Sequence, residues 1–162
     1  MDWGFERFQG GADYAEYLEH KEDEALEPAD VVGVDSDKIV SKNTASAAYV
    51  GVVSTKPGFL GNQECREPRV PVALAHWPGQ VPVKVKGGHA AKGRRVMPSG
   101  DNDGMAILAP DDAAGPILGT IVGEVPEADP HSPFQKATIL LWGRWVERGE
   151  TRGLNRDGPI HP

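Results

Sequence analysis

Short apolar runs broken by turn residues fill the chain from residue 29 onward. Val31-Val32-Gly33-Val34, then Asp35-Ser36-Asp37, then Lys38-Ile39-Val40 is a hairpin pattern. Ala47 to Thr55 (AAYVGVVST) is a continuous apolar run, which predicts a strand buried on both faces; Pro57-Gly58 turns it. Residues 61–69 read as a loop. Val70 to Ala75 and Val81 to Val85 are predicted strands joined by His76-Trp77-Pro78-Gly79. Val96-Met97 is a short strand, Ser99 to Gly104 a dense turn, and Met105 to Leu108 the next strand. Ile117 to Val125 contains Gly119 and Gly123, which suit a bend or bulge. Ala137 to Val146 is the last predicted strand and the most hydrophobic. Only residues 13–27 read as helix: Tyr14, Tyr17, Leu18 and Leu26 fall roughly on one face, Asp13 could cap the start, and Pro28 blocks continuation. The expected fold is mainly β, a compact barrel or sandwich of eight or so short strands with one short N-terminal helix.

Composition agrees with many short strands. Gly and Pro together make 34 of 162 residues, too many breakers for a helical bundle. The length fits one domain with a real core. Its expected division is an N-terminal docking arm (1–12), a β-rich body (13–146) and a C-terminal tail (147–162). No run approaches the ~20 apolar residues of a membrane span, and the N-terminus lacks the pattern of a signal peptide. The single cysteine, Cys65, excludes an internal disulfide framework. Net charge is −7, unevenly spread: residues 1–40 hold twelve acids and three bases, whereas 81–100 holds five bases and no acid. The basic segment has no interleaved aromatics for base stacking, so nucleic acid is not an expected partner, and neither is a membrane. Trp3, Phe5 and Phe8 are poor choices for a free tail and are read as partner-docking residues.

Most catalytic patterns are missing. The five histidines have no metal-ligand spacing, and Asp101-Asn102-Asp103-Gly104 lacks the downstream glutamate of a calcium loop, so no metal is expected. Lys86-Gly87-Gly88-His89-Ala90-Ala91-Lys92-Gly93 has no Gly-Lys-Ser/Thr, so no nucleotide or other cofactor is expected. Ser54 lies outside any nucleophile elbow, and Cys65 is a loop residue beside Arg66. Trp77, Trp142 and Trp145 could stack on sugars, which leaves a carbohydrate-binding module and a cell-surface glycan partner open. Asp13 and Glu16 are the remaining candidates. On a helix they would share a face, either as a capping box or as a carboxyl pair able to split acid and base roles.

Several segments occur in an order that resembles a known family. They are Asp13-Tyr14-Ala15-Glu16-Tyr17; Glu27-Pro28-Ala29-Asp30-Val31-Val32; Gly51-Val52-Val53-Ser54-Thr55-Lys56-Pro57; Gly79-Gln80-Val81-Pro82-Val83-Lys84-Val85-Lys86-Gly87; Pro98-Ser99-Gly100; and Gly119-Thr120-Ile121-Val122-Gly123. Over about residues 10–125 the chain resembles the C-terminal intramolecular-chaperone domain of phage tail fibres and appendages, of the self-cleaving glutamic-peptidase type. The resemblance implies a homotrimer at the end of a fibre and a cut at Ala12–Asp13, with Asp13 and Glu16 as the reacting carboxylates. In that family a hydroxyl residue tends to precede the cut, whereas this chain has Ala12. With only twelve residues upstream, that departure points to structural use of the domain, with Asp13 and Glu16 retained as a cap. The leading expectation is a phage virion structural protein (a short fibre, decoration or adaptor component) made in the host cytoplasm. It would contact other virion proteins through Trp3, Phe5 and Phe8. An active self-cleaving chaperone protease is the alternative.

Overall fold

The computed structural model describes residues 13–62 and 65–146. Among the described residues there are eleven strands, ten of which form two small closed barrels. The first contains β1 (Tyr14–His20), β2 (Val31–Val34), β3 (Ile39–Ser41), β4 (Tyr49–Val53) and β6 (Arg69–Leu74), in the order β3-β2-β4-β6-β1. It closes because β1 runs parallel to β3, with Glu19 opposite Ile39 and His20 opposite Val40. The two-residue β5 (Phe59–Leu60) is added to the start of β1, with Tyr14 opposite Phe59. The second barrel contains β7 (Gln80–Val85), β8 (Arg95–Pro98), β9 (Ala106–Leu108), β10 (Gly115–Ile121) and β11 (Gln135–Val146), closed in the order β10-β11-β7-β9-β8. A register shift between Ile117 and Gly119 is the bulge expected at the glycine.

Period-2 alternation sorts the valines of the first barrel between two cores. Val32, Val34, Val40, Val53 and Val72 fill its interior. Their strand neighbours Val31, Val50, Val52 and Ala73 belong instead to a cluster with Val81, Val83, Val85, Val96, Leu118, Ile121 and Ile139, the core of the second barrel. One apolar seam therefore joins the barrels, and β4 is buried on both faces because each face meets a core. Fully burying one such valine or isoleucine contributes about 1.5–3 kcal/mol.

The N-terminal helix is not present. Residues 14–20 form β1, hydrogen-bonded to β6 along one side and to β5 and β3 along the other. Long-range pairing on both edges outweighs the local helical preference of an Ala- and Glu-containing segment. The hairpin at residues 31–40 is present: Asp35 Oδ1 accepts from the amides of Asp37 and Ile39, holding the turn between β2 and β3. The arm (1–12) and tail (147–162) lie outside the described residues, as do Trp3, Phe5 and Phe8.

Candidate functional site

Asp13 stands at the mouth of the first barrel, immediately before β1. It makes an antiparallel bridge to Gly79, and its carbonyl accepts from the amides of Gly58 (2.9 Å) and Phe59 (3.0 Å). Its side chain is buried at 3% exposure, beside the equally buried Ser54 at the end of β4. Neither carboxyl oxygen of Asp13 and not the Ser54 hydroxyl completes a well-formed hydrogen bond. Burial pushes the Asp13 carboxyl up from its ordinary 3.8; the nearby Ser54 hydroxyl and backbone amides oppose this only in part. A buried acid held toward its neutral form beside an unpaired hydroxyl is an arrangement that structural packing alone does not favour.

Glu16 does not share this pocket. Residues three apart on a strand point to opposite faces, so β1 turns Asp13 and Ala15 inward while Tyr14 and Glu16 face out. Glu16 Oε1 accepts from the Tyr14 hydroxyl at 2.9 Å, a contact that raises the Tyr14 pKa. The expected capping box, and the shared face it required, are therefore absent: without a helix Asp13 caps nothing, and the two carboxylates part to opposite sides of one strand.

An aromatic stack covers the outer side of the same mouth. Tyr14 is half-buried between Phe59 (centroids 5.4 Å apart, planes 17° apart) and Trp77 (4.8 Å, 30°). Phe59 and Trp77 remain 61% and 43% exposed. Gly61 makes room for the stack, since a Cβ there would lie 1.9 Å from the Tyr14 hydroxyl oxygen. Trp77 is the one sugar-stacking candidate whose side chain is described; those of Trp142 and Trp145 are not. Cys65 is half-buried, with its thiol toward the Arg66 carbonyl at 3.7 Å.

A charged clamp between the barrels went unassigned from the sequence. Lys84 on β7 is buried, and its Nζ lies 2.7 Å from Oδ1 of the buried Asp30 and donates also to Glu27. Asp30 Oδ2 accepts from the Glu27 amide at 2.9 Å and faces Lys42 Nζ at 4.0 Å. Burial works against the charge on Lys84, but Asp30 and Glu27 more than offset it, so its pKa is raised. Lys84 in turn lowers that of Glu27. Gly104, at φ +79°, admits Asp30, whose Oδ1 would lie 2.8 Å from a Cβ there, and its carbonyl accepts the Val31 amide. The signal was a lysine inside the apolar run Val81-Pro82-Val83-Lys84-Val85. Nearby, Lys86 pairs with Asp101 and Asp103, so the acids of the calcium-like turn are occupied by a cation of the chain itself. Among the described residues no group of three or more His, Cys, Asp or Glu side chains could hold a metal ion.

Two closed five-stranded barrels sharing a valine seam, with a buried acid at the first strand, define a compact, mainly β domain. No family model matches the sequence, and no curated protein matches it. Among solved structures, the fold is similar to that of pre-mature bacteriophage phi29 gene product 12, with a TM-score of 0.59 and 14% sequence identity. The similarity covers 81% of this chain and 21% of that one, so the chain spans about a fifth of the length of its structural neighbour. At this identity the likeness is one of fold.

Proposed function

We propose that the chain is a phage virion structural protein built on a trimeric, fibre-chaperone-like domain. The observation that carries this reading is the agreement of two independent likenesses. The ordered motifs resemble phage fibre-chaperone domains, and the fold is similar to part of a bacteriophage protein. The motif segments also meet in space: Glu27-Pro28-Ala29-Asp30 clasps Lys84 of Val-Pro-Val-Lys-Val, and Asp13 bridges Gly79. The aromatic arm is the docking element in this reading. A native mass spectrum of the purified chain, followed by a denaturing one, tests it. A trimer of full-length chains is expected; a monomer at every concentration overturns the trimeric reading.

A second reading, self-cleavage at Ala12–Asp13, is favoured by the Asp13 site. The buried carboxyl and the Ser54 hydroxyl beside it are both without a well-formed hydrogen bond, and Asp13 is the residue that follows that peptide bond. Because Glu16 lies on the other face of β1, a reaction using both carboxylates needs Glu16 to act on a neighbouring copy's Asp13. Denaturing mass after long incubation near neutral pH discriminates. A chain starting at Asp13 that disappears in Glu16→Gln supports processing; an intact chain refutes it.

A further inference from the structure

Among the described residues, the Phe59–Tyr14–Trp77 stack gathers three aromatic rings outside the cores, with Phe59 and Trp77 exposed. Tyr14 already fills the space between the other two rings, so what remains free is the outer face of Phe59 and the outer face of Trp77. Each accepts one more stacked group. The stack is a poor sugar platform: the phenol and carboxylate beside it, Tyr14 and Glu16, are bonded to each other instead of being free to bind hydroxyls. A partner that brings its own rings fits better.

The chain supplies such rings at the right place. Residue 12 joins the body at Asp13, which is pinned on one side to Gly79, two residues after Trp77, and on the other to Gly58 and Phe59. Asp13 is therefore held beside Phe59 and close along the chain to Trp77, and the preceding segment starts from there. Phe8 lies five residues before Asp13, a span of at most about 17 Å, and Trp3 ten residues before, at most about 35 Å. Gly10-Gly11 stands between them and Asp13, with the backbone freedom to reverse the chain. A short tether holds a segment near its seat at about millimolar effective concentration, so modest stacking is enough to keep it there. We infer that the Phe59–Tyr14–Trp77 stack is the seat of the chain's own N-terminal arm, and that Trp3, Phe5 and Phe8 pack back onto it. This seat is the arm's place in the free chain; it rests neither on the arm's proposed contact with other virion proteins nor on trimer formation.

The test uses the full chain, with 1-anilinonaphthalene-8-sulfonate fluorescence reporting open aromatic surface and native mass reporting copy number. Four proteins are compared: the native chain, Phe59→Ser, Trp3→Ser/Phe5→Ser/Phe8→Ser, and that triple variant with Phe59→Ser and Trp77→Ser added. Circular dichroism confirms that each is folded; should the five-fold variant not fold, the triple variant with Phe59→Ser alone replaces it. The native chain is expected to bind little dye. The triple variant should bind several-fold more, the gain should vanish when the stack residues are removed, and copy number should not change. Dye binding by the native chain that falls with Phe59→Ser would show an open seat and overturn the inference. No gain in the triple variant would overturn it as well. A gain accompanied by loss of the oligomer would move the seat to a neighbouring copy's arm and refute docking within one chain. A monomeric native chain with the expected dye pattern would leave this inference standing while sinking the trimer, so the two failures are separable.

Discussion

Replacing Lys84 with methionine tests whether the charged clamp holds the barrels together. Lys84 and Asp30 are 5% and 1% exposed, and Nζ to Oδ1 is 2.7 Å. Removing one partner of a buried pair leaves the other charged and dry, which costs about 3–5 kcal/mol. Two contacts soften the loss: the Glu27 amide still donates to Asp30 Oδ2, and Lys42 stands at 4.0 Å. The low end, about 3 kcal/mol, is therefore expected for Lys84→Met. For a domain of this size that corresponds to a fall in Tm of about 6–12 °C. Glu27 adds little, because its carboxylate is exposed and screened by water. The decisive protein is the double variant Lys84→Met/Asp30→Asn. It has no stranded charge, and the asparagine carbonyl can still accept the Glu27 amide. It should recover to within about 1.5 kcal/mol of the native chain, so the two changes are strongly non-additive. Urea unfolding followed by circular dichroism, at constant m-value, measures all four corners of the cycle. A cost under about 1 kcal/mol for Lys84→Met, or a double variant as weak as the two singles summed, would refute the clamp.

Two further predictions concern the barrel mouth. The folded-state pKa of Asp13 is raised, so the stability of its neutral form is fully present below 3.8 and is lost as pH rises through the folded value. Relative to Asp13→Asn, the native chain should therefore lose unfolding free energy between pH 4 and pH 8; a difference independent of pH would show that Asp13 is not dry. Gly61→Ala would drive a methyl against the Tyr14 hydroxyl and within 3.1 Å of Glu16 Cγ, tilting Tyr14 out of its stack at a cost of about 1–2 kcal/mol. An altered near-ultraviolet circular dichroism spectrum together with that loss is expected, and an unchanged spectrum would refute the close fit.

Most of the fold was legible because its strands carry their own punctuation. Asp35-Ser36-Asp37 between two apolar runs is a turn by chemistry, and the turn forms as read, with Asp35 accepting two amides. The run Val50 to Val53 is apolar throughout because β4 separates two cores, a property that the sequence pattern carries by itself. The two-residue β5 was not visible, since two residues carry no period; with β1 read as helix as well, the count of eight or so strands fell short of the eleven described. Residues 14–20 misled. A strand that is paired on both edges and packed on a small barrel needs only one fully buried side chain, Ala15, so no alternation is imposed on its neighbours. Its Tyr, Leu and Glu positions then fit a helical stripe equally well.

The candidate site was misread for a related reason. Asp13 followed three residues later by Glu16 is a capping signature only if the segment is a helix; on a strand the same spacing separates the two side chains. The site depends on what lies across from each residue, and those partners are distant in sequence: Ser54 and Gly58 for Asp13, Phe59 and Trp77 for Tyr14, Asp30 for Lys84. Spacing within one segment cannot report such contacts. Residue type still marked the positions, because a lysine in a valine strand and an aspartate at the edge of an apolar barrel both carry a burial cost that a neighbour must offset. For Lys84 the structure supplies that neighbour within the chain. For Asp13 it supplies a hydroxyl without a completed bond, and the acid resolves the mismatch by leaning toward its protonated form. The two buried ionisable groups therefore separate by role. The satisfied one fastens the barrels; the unsatisfied one sits beside the peptide bond where the proposed cut would fall.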